Sequence, residues 1–344
     1  MATKKLTIRD VAKMLGVSYA TVSRALSGSP GISEATRKRV LTTCEEVGYT
    51  TNHIARSLVI RESKLIGLIL GNIDNPFIGR LASNTEIHAR SRGYNLILCN
   101  STSLKEQEVE VFSLLMGRQV DGIIIVPSSA NSYGALEKYI NQIPTVFVGE
   151  NMKDSRVNYV AVDNFKGTYI GTEYLVSLGH RSIAYIGRRP DSVTHQLRGD
   201  GYIAVCREHG MDSYFIDNTL QPFSSTETGY VLAKKFFSAS PKHTAIFAAT
   251  DTIALGIIKA ADELGISIPN DFSLIGFDNI SFASLSRIDL TTINQPLPEM
   301  ASTAVNMLID MIQNPLASYS HQVLAPTLIK RGTCLAVNKK ESEY

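Results

Sequence analysis

The sequence predicts an α/β protein in three parts: an N-terminal all-α helix-turn-helix module, followed by two doubly wound parallel-sheet lobes. Three observations carry that prediction. Residues 7–26 hold two short amphipathic patterns around a glycine turn. After residue 62, short unbroken apolar runs alternate with segments of helical length. More than ten such elements follow one another, which points to two sheets rather than one.

The module comes first. Ile8, Val11, Ala12 and Leu15 recur at i, i+3, i+4 and i+7 and so share one face of a helix. Gly16 supplies the backbone freedom for a tight turn over Leu15-Gly16-Val17-Ser18. Val22 and Leu26 turn the second helix inward, leaving Tyr19, Ala20, Ser23 and Arg24 outward. Such a unit fits a DNA major groove, although a plain helical hairpin of an all-α domain gives the same pattern. Charge tips the balance. Residues 1–62 carry ten Lys and Arg against five acids, a net +5, so the other 282 residues carry −3 of the whole-chain +2. A basic head on a mildly acidic body is expected where one end meets phosphate. A third helix follows, with Ser33 as N-cap, Glu34 in its first turn, and Val40, Leu41, Cys44 and Val47 as its apolar stripe; Gly48 ends it. The module's own core (Ile8, Ala12, Val22, Leu26, Val40, Val47, Tyr49) is thin.

Beyond residue 62, apolar runs at 65–70, 95–99, 122–126, 145–148, 183–186, 245–249 and 274–277 lack polar alternation, as strands buried on both faces do. Between them lie helical segments such as 78–92, 105–118, 164–178, 197–209, 225–237 and 252–264. This alternation implies parallel sheets with right-handed crossovers, with a (β/α)₈ barrel as the competing architecture. The chain is expected to cross between lobes near Val162-Asp163-Asn164, Asn294-Gln295-Pro296 and Ala325-Pro326. A ligand would then sit where the carboxyl ends of both sets of strands face each other. The segment 52–59 is a helix-length linker too short to be stable alone in water. It reads either as a plain connection or as a helix ordered by DNA, with Leu58 as an apolar wedge for the minor groove.

Composition narrows the function. With 44% apolar and 19% charged residues, the chain has the make-up of a soluble globular protein, and no apolar run approaches a membrane span. Met1–Thr7 has no apolar core for export, so a cytoplasmic location is expected. Cys44, Cys99, Cys206 and Cys334 are scattered and read as reduced thiols. There is no G-x-S-x-G, no phosphate-binding G-x-x-x-x-G-K-[ST] and no H-E-x-x-H, and the seven histidines are dispersed. His180, after Gly179, is expected to satisfy a turn. Asp251 and Asp278 each stand where capping or ligand binding suffices. No catalytic residue, metal or cofactor is expected.

Together these features resemble the lactose-repressor (LacI/GalR) family of bacterial transcription regulators over nearly the whole chain. Thr7 to Ala12, Val17 to Arg24, Arg37-Lys38-Arg39-Val40, Gly48-Tyr49 and Asn52 to Leu58 follow the family signature. So do Asp74-Asn75-Pro76-Phe77, Asp121-Gly122-Ile123, Gly179-His180-Arg181, Arg198 to Tyr202, Thr250 to Gly256 and Gly276-Phe277-Asp278-Asn279. The resemblance implies a homodimer whose recognition helices, starting at Ser18, enter major grooves of a pseudo-palindromic operator. It places Tyr19, Ala20, Arg24 and Leu58 at base-reading positions. Thr7, Ser18, Thr21, Ser23, Ser33, Thr36, Asn52 and His53 fall at phosphate-contact positions, which position rather than specify. Arg24 has a guanidinium fork suited to guanine, whereas Ala20 offers at most a contact to a thymine methyl.

The second half of the chain resembles periplasmic sugar-binding proteins. That implies a small-molecule effector held by Phe77, Thr194, Arg198, Thr250, Asp278, Asn279 and Gln295. An Asp accepts hydroxyl protons and an Arg donates to the same diol, which favours a carbohydrate. Gly149 stands where some relatives place a sugar-binding carboxylate, with Glu150 next to it. A purine or nucleoside, or a phosphoprotein corepressor, is the alternative. The implied domains are 1–50 for DNA, 51–62 as hinge, and 63–335 for effector binding and dimerisation. Lobe one would take about 63–162 and 295–324, and lobe two about 163–294 and 325–335. With no leucine heptads in the tail, a dimer is expected rather than a tetramer.

Overall fold

The computed structural model describes residues 6–27, 29–49, 62–127, 132–150, 156–219, 225–239, 242–314 and 318–337. The chain divides after Ser63 into two compact units. The first holds three helices, α1 (Ile8–Leu15), α2 (Tyr19–Ser27) and α3 (Glu34–Glu46). Their starts are written in the sequence. Thr7 and Asp10 form a capping box: the Thr7 amide and hydroxyl donate to the Asp10 carboxylate at 2.9 and 2.6 Å, and the Asp10 amide donates back at 3.4 Å. Ser18 and Ser33 accept from the amides of Thr21 and Thr36 at 3.1 and 3.2 Å. Gly16 ends α1 at φ 65°, a left-handed conformation that costs a glycine little. The core is Val11, Ala12, Val22, Ala25, Val40 and Cys44, with Ile8, Leu15, Leu26, Val47 and Tyr49 packed around it. Leu41 departs from the expected stripe and is 42% exposed, because one residue past Val40 is about 100° further round the helix.

The second unit contains two six-stranded sheets, which excludes the barrel. In chain order its elements are β1 (Leu65–Leu70), α4 (Pro76–Ser91), β2 (Asn95–Asn100), α5 (Lys105–Gly117), β3 (Gly122–Ile125), α6 (Ser132–Ile140), β4 (Thr145–Val148) and β5 (Asn158–Val162). Then come α7 (Asn164–Ser177), β6 (Ile183–Arg188), α8 (Val193–Glu208), β7 (Tyr214–Asp217), α9 (Thr226–Ser238), β8 (Ala245–Ala248), α10 (Asp251–Leu264) and β9 (Ser273–Asp278). A 3₁₀ turn (Ser281–Ser284), β10 (Thr291–Asn294), α11 (Leu297–Gln313), β11 (His321–Leu324) and β12 (Thr327–Ile329) follow. Lobe one is ordered β11-β5-β4-β3-β1-β2 and lobe two β12-β10-β9-β8-β6-β7. The described pairings are parallel except β10–β12.

Both faces of each sheet are buried, which is why the strands read as unbroken apolar runs. Ile66, Leu68 and Ile124 enter one core of lobe one, and Ile69, Ile123 and Ile125 enter the other. Lobe two repeats the arrangement with Ala184, Ile186 and Ile246 on one face and Tyr185, Phe247 and Phe277 on the other. The chain passes between the sheets three times, after β5, after β10 and between β11 and β12. These passages lie side by side. Asp163 N–H donates to the Leu324 carbonyl at 2.9 Å, and the Asn294 amide reaches the Thr327 hydroxyl at 3.4 Å. Gly256 lets α10 approach α9 closely, since a Cβ there would lie 2.2 Å from the Thr226 carbonyl oxygen. His180 does more than close a turn. Its two ring nitrogens bind the hydroxyls of Thr244 and Ser273 at 2.8 and 2.9 Å and so join three segments of lobe two.

Candidate functional site

On the head, Tyr19 (55% exposed), Ala20 and Arg24 face outward from α2, and Ser23 is half-buried beside them. Thr7, Ser18 and Ser33 turn out to be the N-caps of the three helices. Thr21 and Thr36 bond back to two of those caps, hydroxyl to hydroxyl, at 2.9 and 2.8 Å. Five of the six expected phosphate-contact hydroxyls therefore cluster at helix starts, and Ser23 lies further along α2. There, unpaired amides and the helix dipole favour an anion, and a hydroxyl keeps hydrogen-bonding capacity beyond its cap. Some of the head's cations serve the fold instead: Arg39 donates to the Leu15 carbonyl at 2.6 Å, and Arg37 to the Ser29 carbonyl at 2.9 Å. Asn52, His53 and Leu58 lie outside the described residues.

In the second unit the chemistry gathers at the carboxyl ends of the lobe-two strands. Arg198, on α8, is 4% exposed. Its Nε donates to Asn164 Oδ1 at 2.8 Å and its Nη1 to the Ala249 carbonyl at 2.7 Å. The guanidinium lies on the Phe277 ring, 3.6 Å from the centroid. Nη2 faces Asp278 Oδ1 at 3.6 Å, an ion pair too long to be a direct hydrogen bond. Gln295 Nε2 donates to the same Asp278 oxygen at 2.7 Å.

Burial pushes the Asp278 carboxyl up to about 7 against the pull of Arg198, and the neighbouring Asp251 adds to the rise. Asp251 is itself raised to about 6 by burial, although it accepts from the Thr292 hydroxyl and the Ile280 amide. Asp278 and Asn279 adopt φ values of 125° and 56°, a strained pair of the kind that clusters at functional sites. Burial also holds the His195 imidazole well below its ordinary value, with the Arg198 and Arg189 cations reinforcing this.

The other expected residues divide. Thr250 caps α10 and adjoins the Ala249 carbonyl that holds Arg198. Asn279 is engaged on both sides, donating to Asn294 at 2.9 Å and accepting from Arg331 at 2.8 Å. Thr194 reaches across to lobe one and donates to the Gly149 carbonyl at 3.0 Å. Phe77, at the start of α4 in lobe one, packs on apolar clusters of both lobes. Sequence reasoning missed Asn164 and Thr292 as parts of this network, and it left Asp251 between a cap and a ligand group. The strand-end and crossover positions of Asn164 and Asp251 were legible, but their buried partners were not. Among the described residues no group of acids, histidines and cysteines is arranged to hold a metal, and no helix is long and apolar enough to cross a membrane.

Comparison with known proteins places these two units. Residues 7–52 match the model of bacterial regulatory proteins of the lacI family, and residues 172–334 match a periplasmic binding protein-like domain. The chain is 32% identical to catabolite control protein A of Priestia megaterium, over 88% of this chain and 91% of that protein. It is 33% identical to the transcriptional repressor PurR of Photorhabdus laumondii, over 94% and 96%. Among solved structures, a lac repressor dimer bound to operator and the anti-inducer ONPF superposes with a TM-score of 0.86, at 27% identity over 97% of this chain and all of that one. A regulator from Enterococcus faecium with bound ribose gives a TM-score of 0.70, at 27% identity over 80% of this chain and all of that one.

Proposed function

Because this chain belongs to the lacI family of bacterial regulatory proteins and is a DNA-binding transcriptional regulator rather than an enzyme, we propose that it works as a cytoplasmic homodimeric repressor controlled by a small carbohydrate. Residues 1–50 bind a pseudo-palindromic operator, 51–62 form the hinge, and the two lobes hold the effector. Tyr19, Ala20, Arg24 and Leu58 read bases. Thr7, Ser18, Thr21, Ser23, Ser33, Thr36, Asn52 and His53 hold phosphates.

The observation that carries the carbohydrate reading is the held-apart pair of Arg198 and Asp278. Asn164 and Ala249 fix the guanidinium and Gln295 fixes the carboxylate, yet 3.6 Å remains between them. Two neighbouring hydroxyls of a sugar can bridge such a pair, donating to the acid and accepting from the fork. Phe77 supplies an apolar wall, and the ribose bound by the Enterococcus relative agrees with this chemistry. A purine is the second reading, favoured by the similarity to PurR. Exposed Ile87, Leu98 and Leu114, on α4, β2 and α5 at one edge of lobe one, support a partner subunit on that side.

A thermal-shift screen of the full chain against pentoses, hexoses, hypoxanthine and guanine tests the effector. A sugar at about a hundred times its Kd stabilises by about 2.7 kcal/mol, a shift of several degrees. Stabilisation by a purine alone overturns the carbohydrate reading. Sedimentation giving a monomer or a stable tetramer overturns the dimer.

A further inference from the structure

Three covalent passages join the lobes on one side of the cleft, and a second, non-covalent junction joins them elsewhere. The end of β4 in lobe one meets the start of α8 in lobe two. The Ser192 hydroxyl donates to Glu150 Oε1 at 3.2 Å, and the Thr194 hydroxyl donates to the Gly149 carbonyl at 3.0 Å. Ser192 is also the N-cap of α8, the helix that carries Arg198, and accepts from the His195 amide at 3.4 Å. Glu150 is only 6% exposed, so the junction shuts a carboxyl group away from water.

We propose that Glu150, Ser192, Thr194 and the Gly149 carbonyl form a proton-operated clasp, so that the cleft takes up a proton as it closes and hydrogen ion is a second input to the sensor.

Burial sets the sign, and the charges around Glu150 adjust it. Buried Glu108 on α5 and Asp191 in the segment before α8 repel its ionised form. Arg189, which is also held to Asp191 at 2.9 Å, and the Ser192 hydroxyl favour that form. Burial outweighs them, and the carboxyl rises from 4.5 to about 7. An opened clasp returns Glu150 to water and to its ordinary acidity. Closing therefore binds a proton between about pH 4.5 and pH 7. Over that window the ratio of closed to open molecules falls by up to tenfold per pH unit as pH rises, then levels above pH 7. The inference rests on the proposed sensor reading in one respect, that the lobes open and close.

The test needs neither sugar nor DNA, so its outcome is separable from that of the effector screen. The sequence contains no tryptophan, and Phe77 touches both lobes, so Phe77→Trp in the full chain makes a single reporter. Acrylamide quenching of that tryptophan should rise between pH 5 and pH 7 and stay constant to pH 8. Adding Glu150→Gln, which keeps the acceptor and removes the titration, should leave the reporter shielded throughout. A parent protein without pH dependence, or a Glu150→Gln double variant that titrates like its parent, overturns the clasp. Hydrogen exchange at residues 192–198 of the unsubstituted chain, corrected for intrinsic rates, reads the same motion if Phe77→Trp disturbs packing. Protection there must fall over the same window, and flat protection overturns the proposal.

Discussion

In the helical head most hydroxyls proposed to hold phosphate stand at the starts of helices, and Thr7, Ser18, Thr21, Ser33 and Thr36 are each tied to a neighbour three residues away. In the two-lobed body the central groups are buried, and most hydrogen bonds of the site join residues 15 to 52 positions apart, such as Gln295 to Asp278 and Arg198 to Ala249. The contrast separates two ways of building recognition. Outward groups on a short helix can change without disturbing the fold, which suits a surface that must be re-specified for different DNA. Buried groups hold one another in place, so recognition of a small molecule and stability of the lobe are the same set of bonds.

Arg198→Ala presses hardest on that contrast. It takes the cation from beside buried Asp278, which keeps only the Gln295 amide, and the donor from Asn164 Oδ1, and it should cost about 3–5 kcal/mol of stability in urea unfolding as well as the effector response. A variant that loses the response at unchanged stability would break the claimed interdependence. Next comes pH. Folding holds Glu150, Asp251 and Asp278 above their ordinary values, so the native chain binds more protons than the unfolded one between about pH 4.5 and pH 7. Stability is then greatest on the acid side of that window and declines as pH rises through it. Glu150→Gln should flatten the decline of the unfolding free energy, read by urea unfolding, by up to about 1.4 kcal/mol per pH unit.

On the head, Arg24→Ala should weaken operator binding by about 1–3 kcal/mol and relax one base position per half-site. Equal weakening on all DNA would make Arg24 a phosphate contact. The smallest effect belongs to Thr7→Ala, which removes the capping box of α1 and should cost about 1 kcal/mol of head stability, read by thermal melting.

The same contrast explains how much could be read in advance. The helix starts at Thr7, Ser18 and Ser33 and the seven apolar strands were legible because each depends on neighbours in sequence or on burial of both faces. The strands β5, β7, β10, β11 and β12 were not singled out. β10 is Thr-Thr-Ile-Asn and β11 His-Gln-Val-Leu, so neither shows a long apolar run, whereas β5 and β7 carry runs of four and three apolar residues that the pattern alone does not separate from loop. Helix α11 lies outside the expected helical segments, although Leu297, Met300, Ala301, Ala304, Val305 and Leu308 carry the helical period. At the site, Arg198 and Asp278 were named from a motif. Their anchors Asn164 and the Ala249 carbonyl share no local pattern with them, and only three-dimensional pairing reveals what they hold.

The three neighbouring passages of chain constrain how any message leaves the cleft. A lone strap would let one half twist, slide or tilt against the other. Three laid edge to edge stiffen all but one of those freedoms, much as a door hung on several pins swings about a single line. Motion of one lobe against the other is then expected as rotation about that line in place of a spread of poses.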